Sequence, residues 1–88
     1  MRLDNFLKLS RLATRRSLAQ EMCEAGAVTI NGKRSKSAHE VREGNLIAIR
    51  GRGRETTVRV LTIPLKPPSR QEAKSLYEIV NVEAYDVE

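Results

Sequence analysis

Residues 2–32 read RLDNFLKLSRLATRRSLAQEMCEAGAVTING, and this stretch decides the fold because its apolar spacing changes period at Gly26. Leu3, Phe6, Leu7, Leu9 and Leu12 fall mostly at the i, i+3, i+4 steps of a short amphipathic helix, which leaves Arg2, Asn5 and Lys8 on its polar side. Thr14 is a fair N-cap for a second helix, and Gly26 suits the left-handed residue that closes one. Steps of about 100° along that helix gather Leu18, Ala19, Met22 and Ala25 on one arc and Arg16, Gln20 and Glu24 on the other. Cys23 lies at the edge of the apolar arc and reads as a small buried hydrophobe. After Gly26 the period becomes two, with Val28 and Ile30 facing one way and Thr29 the other. Asn31-Gly32 then marks a type I′ hairpin, whose two turn residues both need positive φ.

Working outward, Lys33, Arg34 and Lys36 sit on or beside that turn. A turn at Glu43-Gly44-Asn45 precedes a strand over 46–50, the loop Gly51-Arg52-Gly53-Arg54 and a strand over 56–63, and Pro64 and Pro67-Pro68 end the sheet. Ser69 and Glu72 stand at capping-box spacing, so a C-terminal helix is expected from there. Ala73, Leu76, Tyr77 and Val80 give it an apolar stripe for packing against the sheet or the first helices, and residues up to Glu88 read as a frayed acidic tail.

At 88 residues the chain holds one small domain, with no room for a deep catalytic cleft. Its net charge of +5 is unevenly placed: residues 1–54 carry 12 basic and 5 acidic side chains, residues 55–88 carry 4 and 6. The first part therefore suits a polyanionic partner. A single cysteine excludes an internal disulfide, and no apolar run is long enough to span a membrane or serve as a signal core, so the cytoplasm is the expected compartment. His39 is the lone histidine and Cys23 the lone thiol; with no metal-ligand spacing and no phosphate-cradling glycine loop, no catalytic residue, metal or cofactor is expected.

Arg15 and Arg16 fall in the expected first turn of the second helix, where a cation opposes the helix dipole at a cost of about 0.3–1 kcal/mol each. A phosphate bound at the helix start resolves that conflict, since free backbone N–H groups and two guanidinium forks then share one anion. Trp is absent, Phe6 reads as core, and Tyr77 and Tyr85 lie in the acidic part, so aromatic platforms for stacked bases are missing. A folded RNA recognised by backbone and shape is favoured, although charge alone leaves DNA open.

The run Arg-Leu-Asp-Asn-Phe-Leu-Lys at 2–8, with Ser10-Arg11-Leu12, Arg15-Arg16, Gly26, Val28, Ile30-Asn31-Gly32 and Lys36, resembles the S-four RNA-binding domain family over about residues 1–50. The resemblance implies an α+β fold in which two N-terminal helices pack on a small, mainly antiparallel sheet with a short C-terminal helix. Residues 1–64 would form the RNA-binding part, and 65–88 a helix and tail of the same single domain. It also implies an L-shaped surface for structured RNA with Arg2, Lys8, Arg11, Arg15, Arg16, Lys33 and Lys36 as contacts, and Asp4 orienting an arginine.

Many members join this module to a catalytic domain; this chain resembles the free-standing ribosome-associated quality control members, relatives of the fifteen-kilodalton heat-shock protein. Those imply binding to 23S rRNA and peptidyl-tRNA on obstructed 50S subunits, in support of alanine tailing of the stalled chain beside a tailing factor. The expected state is a monomer, by default. Heat-shock-type recycling or subunit assembly is the alternative, and an RNA-modifying enzyme fragment a second. Asn45 stands where the family often has Asp, and no family contacts carry over to the Arg-rich loop at 50–54.

Overall fold

The computed structural model describes residues 1–84. Helices α1 (Leu3–Leu9) and α2 (Arg16–Glu24) precede strands β1 (Val28–Ile30), β2 (Lys33–Arg34), β3 (Leu46–Gly51) and β4 (Arg54–Val60); helix α3 (Arg70–Lys74) and strand β5 (Tyr77–Ala84) follow. The strands form one antiparallel sheet in the order β2-β1-β3-β4-β5.

Helix α1 is shorter than its apolar spacing suggests. Ser10 caps it, Arg11 turns into the left-handed region at φ 64°, and the Ala13 N–H reaches back to the Leu7 carbonyl at 3.0 Å. Leu12 and Ala13 therefore enter the core from a loop. Helix α2 begins at Arg16 with Arg15 as N-cap, so Thr14 lies outside it. At its far end Gly26 has φ 75°, the Gly26 N–H donates to the Cys23 carbonyl at 3.1 Å and the Ala27 N–H to the Met22 carbonyl at 2.9 Å. This paired closure needs a left-handed residue. The Arg34 guanidinium lies across it, donating to the Glu24 carbonyl, and a Cβ at position 26 would come within 3.2 Å of that group.

Leu3, Phe6, Leu7, Ala19 and Cys23 of the helices meet Val28, Ile30, Ile47, Val58 and Val60 of the sheet, with Val41 and Leu76 closing the sides. The buried arc of α2 is rotated from the sequence-based one: Cys23 is buried and Ala25 exposed. Burial, and secondarily the negative charge of Asp4, push the Cys23 thiol above its ordinary pKa. The first hairpin has φ of 51° at Asn31 and 84° at Gly32, as a type I′ turn requires. The Asn31 side chain also accepts from the Leu46 N–H at 2.9 Å, tying the turn to β3.

The C-terminal region corrects one expectation. The capping box forms, with the Glu72 N–H donating to Ser69 Oγ at 3.2 Å and the Ser69 N–H to Glu72 Oε1 at 3.3 Å, but the helix stops at Lys74. Leu76 is buried, its carbonyl accepts from the Leu61 N–H at 2.8 Å, and the chain continues as β5 along the edge of β4. Val80 therefore belongs to no helical stripe; it lies in the strand at the register shift beside Thr57 and Val58. Ile79, Val80 and Val82 are β-branched and favour a pleated surface, and the open edge of β4 offers them hydrogen bonds. The tail expected at 85–88, with Tyr85, lies outside the described residues.

Candidate nucleic-acid interface

Asp4 organises the candidate interface. Its side chain has no exposure to solvent, yet it is ionisable and sits in the first turn of α1. The backbone around it is held by the 35–41 loop, since the Leu3 N–H donates to the His39 carbonyl at 2.8 Å and the Asp4 N–H to the Ser37 carbonyl at 3.1 Å. Those loop carbonyls satisfy helix-start donors that no side chain caps. Arg2 reaches Asp4 with Nε to Oδ1 and Nη2 to Oδ2, both at 3.2 Å; Arg16 brings Nε to Oδ2 at 3.1 Å, and Gln20 donates Nε2 to the same oxygen at 2.9 Å. Burial would push the Asp4 carboxyl up, but hydrogen bonds from Gln20, Arg2, Arg16 and the Asn5 backbone outweigh it and hold the pKa at about 2.

This cluster brings together Arg2, the N-cap of α1, and Arg16, the first residue of α2, and both remain about half exposed, at 48% and 49% of the side chain. Each guanidinium is thus anchored on a buried anion and presents its remaining edge to solvent. It also modifies the argument from the helix dipole: Arg16 opens α2 with no acid in its first turn, but α1 already supplies the anion. A phosphate would be the second anion at that point. Arg15, the N-cap, is exposed and makes no side-chain cap bond.

Lys8 and Arg11 form a second group at the other end of α1, about 9 Å along the helix axis from Arg2 at 1.5 Å per residue. With Thr14, Pro67 and Pro68 they line a shallow cavity of about 480 Å³. Lys33 and Lys36 form a third group, in a concavity of about 610 Å³ that also receives Arg34, His39 and Arg42. The second strand of the Asn31-Gly32 hairpin and the 35–45 loop build it, and the loop's bonds to Leu3 and Asp4 join it to the Asp4 cluster. The seven expected cations thus fall in three groups, with exposed Arg15 beside the first.

Three further residues belong here. Gln20 lies four positions after Arg16, so the i, i+4 spacing on one helix face would have placed it beside Arg16. Arg34 caps the carbonyl end of α2, where a cation suits the dipole. Arg42 pairs with Glu40, two residues before it, at 2.8 Å on the rim of the concavity. Among the described residues, no group of three or more His, Cys, Asp or Glu side chains could hold a metal ion, and no helix is long and apolar enough to cross a membrane.

This architecture, two helices clasped at Asp4 over an antiparallel sheet, is that of the S4 domain: residues 1–47 match that family, and the chain belongs to it. Within the family it groups with the RQC P-site tRNA stabilizing factors, being 43% identical over 79 residues to that of Halalkalibacterium halodurans, across 90% of this chain and 89% of the relative. A heat shock protein 15 homolog of Aeromonas salmonicida is 40% identical across 89% of this chain and 59% of that protein. The trimeric structure of Vibrio cholerae heat shock protein 15 superposes with a TM-score of 0.83 at 36% identity, covering 91% of this chain and 81% of that one.

Proposed function

We propose that the chain is a non-enzymatic RNA-binding factor that grips 23S rRNA and peptidyl-tRNA on large ribosomal subunits obstructed by a stalled nascent chain. It holds the P-site tRNA while a tailing factor extends that chain with alanine. The observation that carries the reading is the Arg2–Asp4–Arg16 cluster, in which a buried carboxylate aims two half-exposed guanidinium groups outward. Planar forks fixed in this way suit bidentate grips on phosphate. The name of the similar Halalkalibacterium protein, a stabilizing factor for P-site tRNA, supplies the setting. Residues 1–64 carry the RNA contacts, among them Lys8, Arg11, Arg15, Lys33 and Lys36. Residues 65–88 complete the same domain, which works in the cytoplasm as a monomer.

Recycling or subunit assembly is the second reading, favoured by the likeness to heat shock protein 15. Co-sedimentation with large subunits that carry or lack peptidyl-tRNA separates the two. The proposal expects clear enrichment on the peptidyl-tRNA-bearing subunits; equal binding to both would support the assembly reading. Light scattering of the free protein at micromolar concentration reads its mass, and a trimer would overturn the monomer.

A further inference from the structure

Three cations and a serine follow the Asn31-Gly32 turn, and the cations do not lie alike. Lys33 and Lys36 are exposed and line the concavity beside the 35–45 loop. Arg34, between them, turns back toward α2, where its Nη2 donates to the carbonyl of Glu24, the last residue of that helix. Ser35 is buried and donates Oγ to the Lys33 carbonyl at 3.0 Å, so the bend between the two lysines closes on itself.

The place that Arg34 occupies is prepared from the helix side. The last carbonyls of a helix lack intrahelical donors and carry the negative end of its dipole. In α2 the Met22 and Cys23 carbonyls accept from the Ala27 and Gly26 N–H groups, and the Glu24 carbonyl accepts from Arg34. Gly26 admits the guanidinium as well as closing the helix, because a Cβ there would stand 3.2 Å from both Cζ and Nε of Arg34. The hairpin side needs such a tie. Strand β2 has two residues, both exposed, and forms the edge of the sheet with β1 as its neighbour. A two-stranded ribbon has little stability of its own. Asn31 ties the turn to β3, and the Ser37 and His39 carbonyls tie the chain beyond to α1. Arg34 ties the stretch that bears the lysines.

We propose that Arg34 is a positioning residue for RNA binding: it clasps the first hairpin to the carbonyl end of α2 and so fixes the direction in which Lys33 and Lys36 meet phosphates. This deepens the RNA-binding reading and rests on it. Because the acceptor is a neutral carbonyl, the clasp leaves the positive charge of Arg34 in place beside the lysines. Helix α2 then sets the spacing of two cation groups. Asp4 holds Arg16 at its start, and the Glu24 carbonyl holds Arg34 at its end, about 12 Å further along at about 1.5 Å per residue.

The test joins two measurements on wild type, Arg34→Met, Arg34→Lys, Arg16→Ala, the paired variant Lys33→Met/Lys36→Met and that pair combined with Arg34→Met, with thermal melts of each. In the free proteins, NMR relaxation reads backbone order over residues 33–36, and the order parameter should fall from about 0.85 toward about 0.6 in Arg34→Met and recover in part in Arg34→Lys. Equilibrium binding to purified large ribosomal subunits carrying peptidyl-tRNA should weaken about fivefold for Arg34→Met, through lost preorganisation, and less for Arg34→Lys. On the background lacking both lysines the same substitution should weaken binding by less than about twofold, since it acts through those two side chains. Unchanged order over 33–36, or a loss of affinity that adds in full on that background, overturns the positioning role; with Arg16→Ala still weakening binding, the RNA reading stands. If neither Arg16→Ala nor the paired lysine variant changes affinity, the RNA reading fails and this inference with it.

Discussion

Helices α2 and α3 meet the same problem at their first turns, and they solve it in opposite ways. Each leaves backbone N–H groups without intrahelical partners. Helix α3 answers locally, with Ser69 and Glu72 bonding each other's backbone and an acid in the first turn. Helix α2 has an arginine as N-cap, another as first residue, no side-chain cap and no acid in its first turn. Its counter-charge is Asp4, on a different helix. A helix start completed by its own residues orients nothing beyond itself. One completed from another element clasps two helices together and fixes the direction of the cations between them. The first kind is scaffold; the second is the proposed RNA-binding site.

Removing the borrowed anion should have the largest effect. Asp4→Ala leaves Arg2, Arg16 and Gln20 without their common acceptor and should destabilise the fold by about 2–4 kcal/mol, a loss moderated because both arginines reach water. RNA binding by the molecules still folded should fall as well, since the guanidinium groups are no longer aimed. The same carboxylate makes stability depend on acid. Its pKa is about 2 in the folded protein, below the ordinary value of 3.8, so folding favours the ionised form. That contribution, about 2 kcal/mol, is complete above pH 4 and disappears as pH falls from about 4 to about 2. Asp4→Asn should lack this component, and denaturant titrations of the two proteins between pH 5 and pH 2 compare them. Parallel losses would show that Asp4 is not the group responsible.

On the other side of the comparison, Ser69→Ala should lower stability by about 1 kcal/mol through loss of the cap. Affinity for large subunits should stay unchanged. A fall in affinity without a fall in melting temperature would make α3 part of the interface and erase the contrast with α2. A smaller effect of opposite sign is expected at Arg11, which holds φ 64° where helices commonly place glycine. Arg11→Gly should stabilise the protein by about 0.5–1 kcal/mol, because glycine takes that conformation without the penalty of a Cβ. Binding should nevertheless weaken. A variant both more stable and equally well bound would mean that Arg11 touches no RNA.

The features legible in the sequence are those encoded by near neighbours. Apolar spacing gave α1 and α2, Gly26 gave the end of α2, Asn31-Gly32 the hairpin, and Ser69 with Glu72 the start of α3. The misread features depend on distant partners. Leu76, Tyr77 and Val80 fit a helical period as spaced, and only the open edge of β4, with Leu61 bonding the Leu76 carbonyl, draws that segment into a strand. The β-branched Ile79, Val80 and Val82 were the local sign that helical spacing outweighed. The seven cations expected as RNA contacts come from the family pattern, whereas their arrangement in three groups is visible only in the structure. The depth of Asp4 depends on how α1, α2 and the 35–41 loop close around it, and Arg34 gains its place across the end of α2 by tertiary contact.

The central claim is that Arg16, held by Asp4, grips a phosphate, and the most direct measurement is the salt dependence of binding to large subunits carrying peptidyl-tRNA for wild type, Arg16→Ala and Arg16→Lys. Wild type should show log affinity falling with log salt at a slope of several units, from about five phosphate contacts at about 0.7–0.9 each. Arg16→Ala should weaken binding clearly and lower that slope by about one, with a modest loss of stability because the Asp4 partner is gone. Arg16→Lys should keep the slope and recover only part of the affinity, since a point charge lacks the planar fork. A wild-type slope near zero, or an Arg16→Ala protein that binds with unchanged affinity and slope, would contradict the claim.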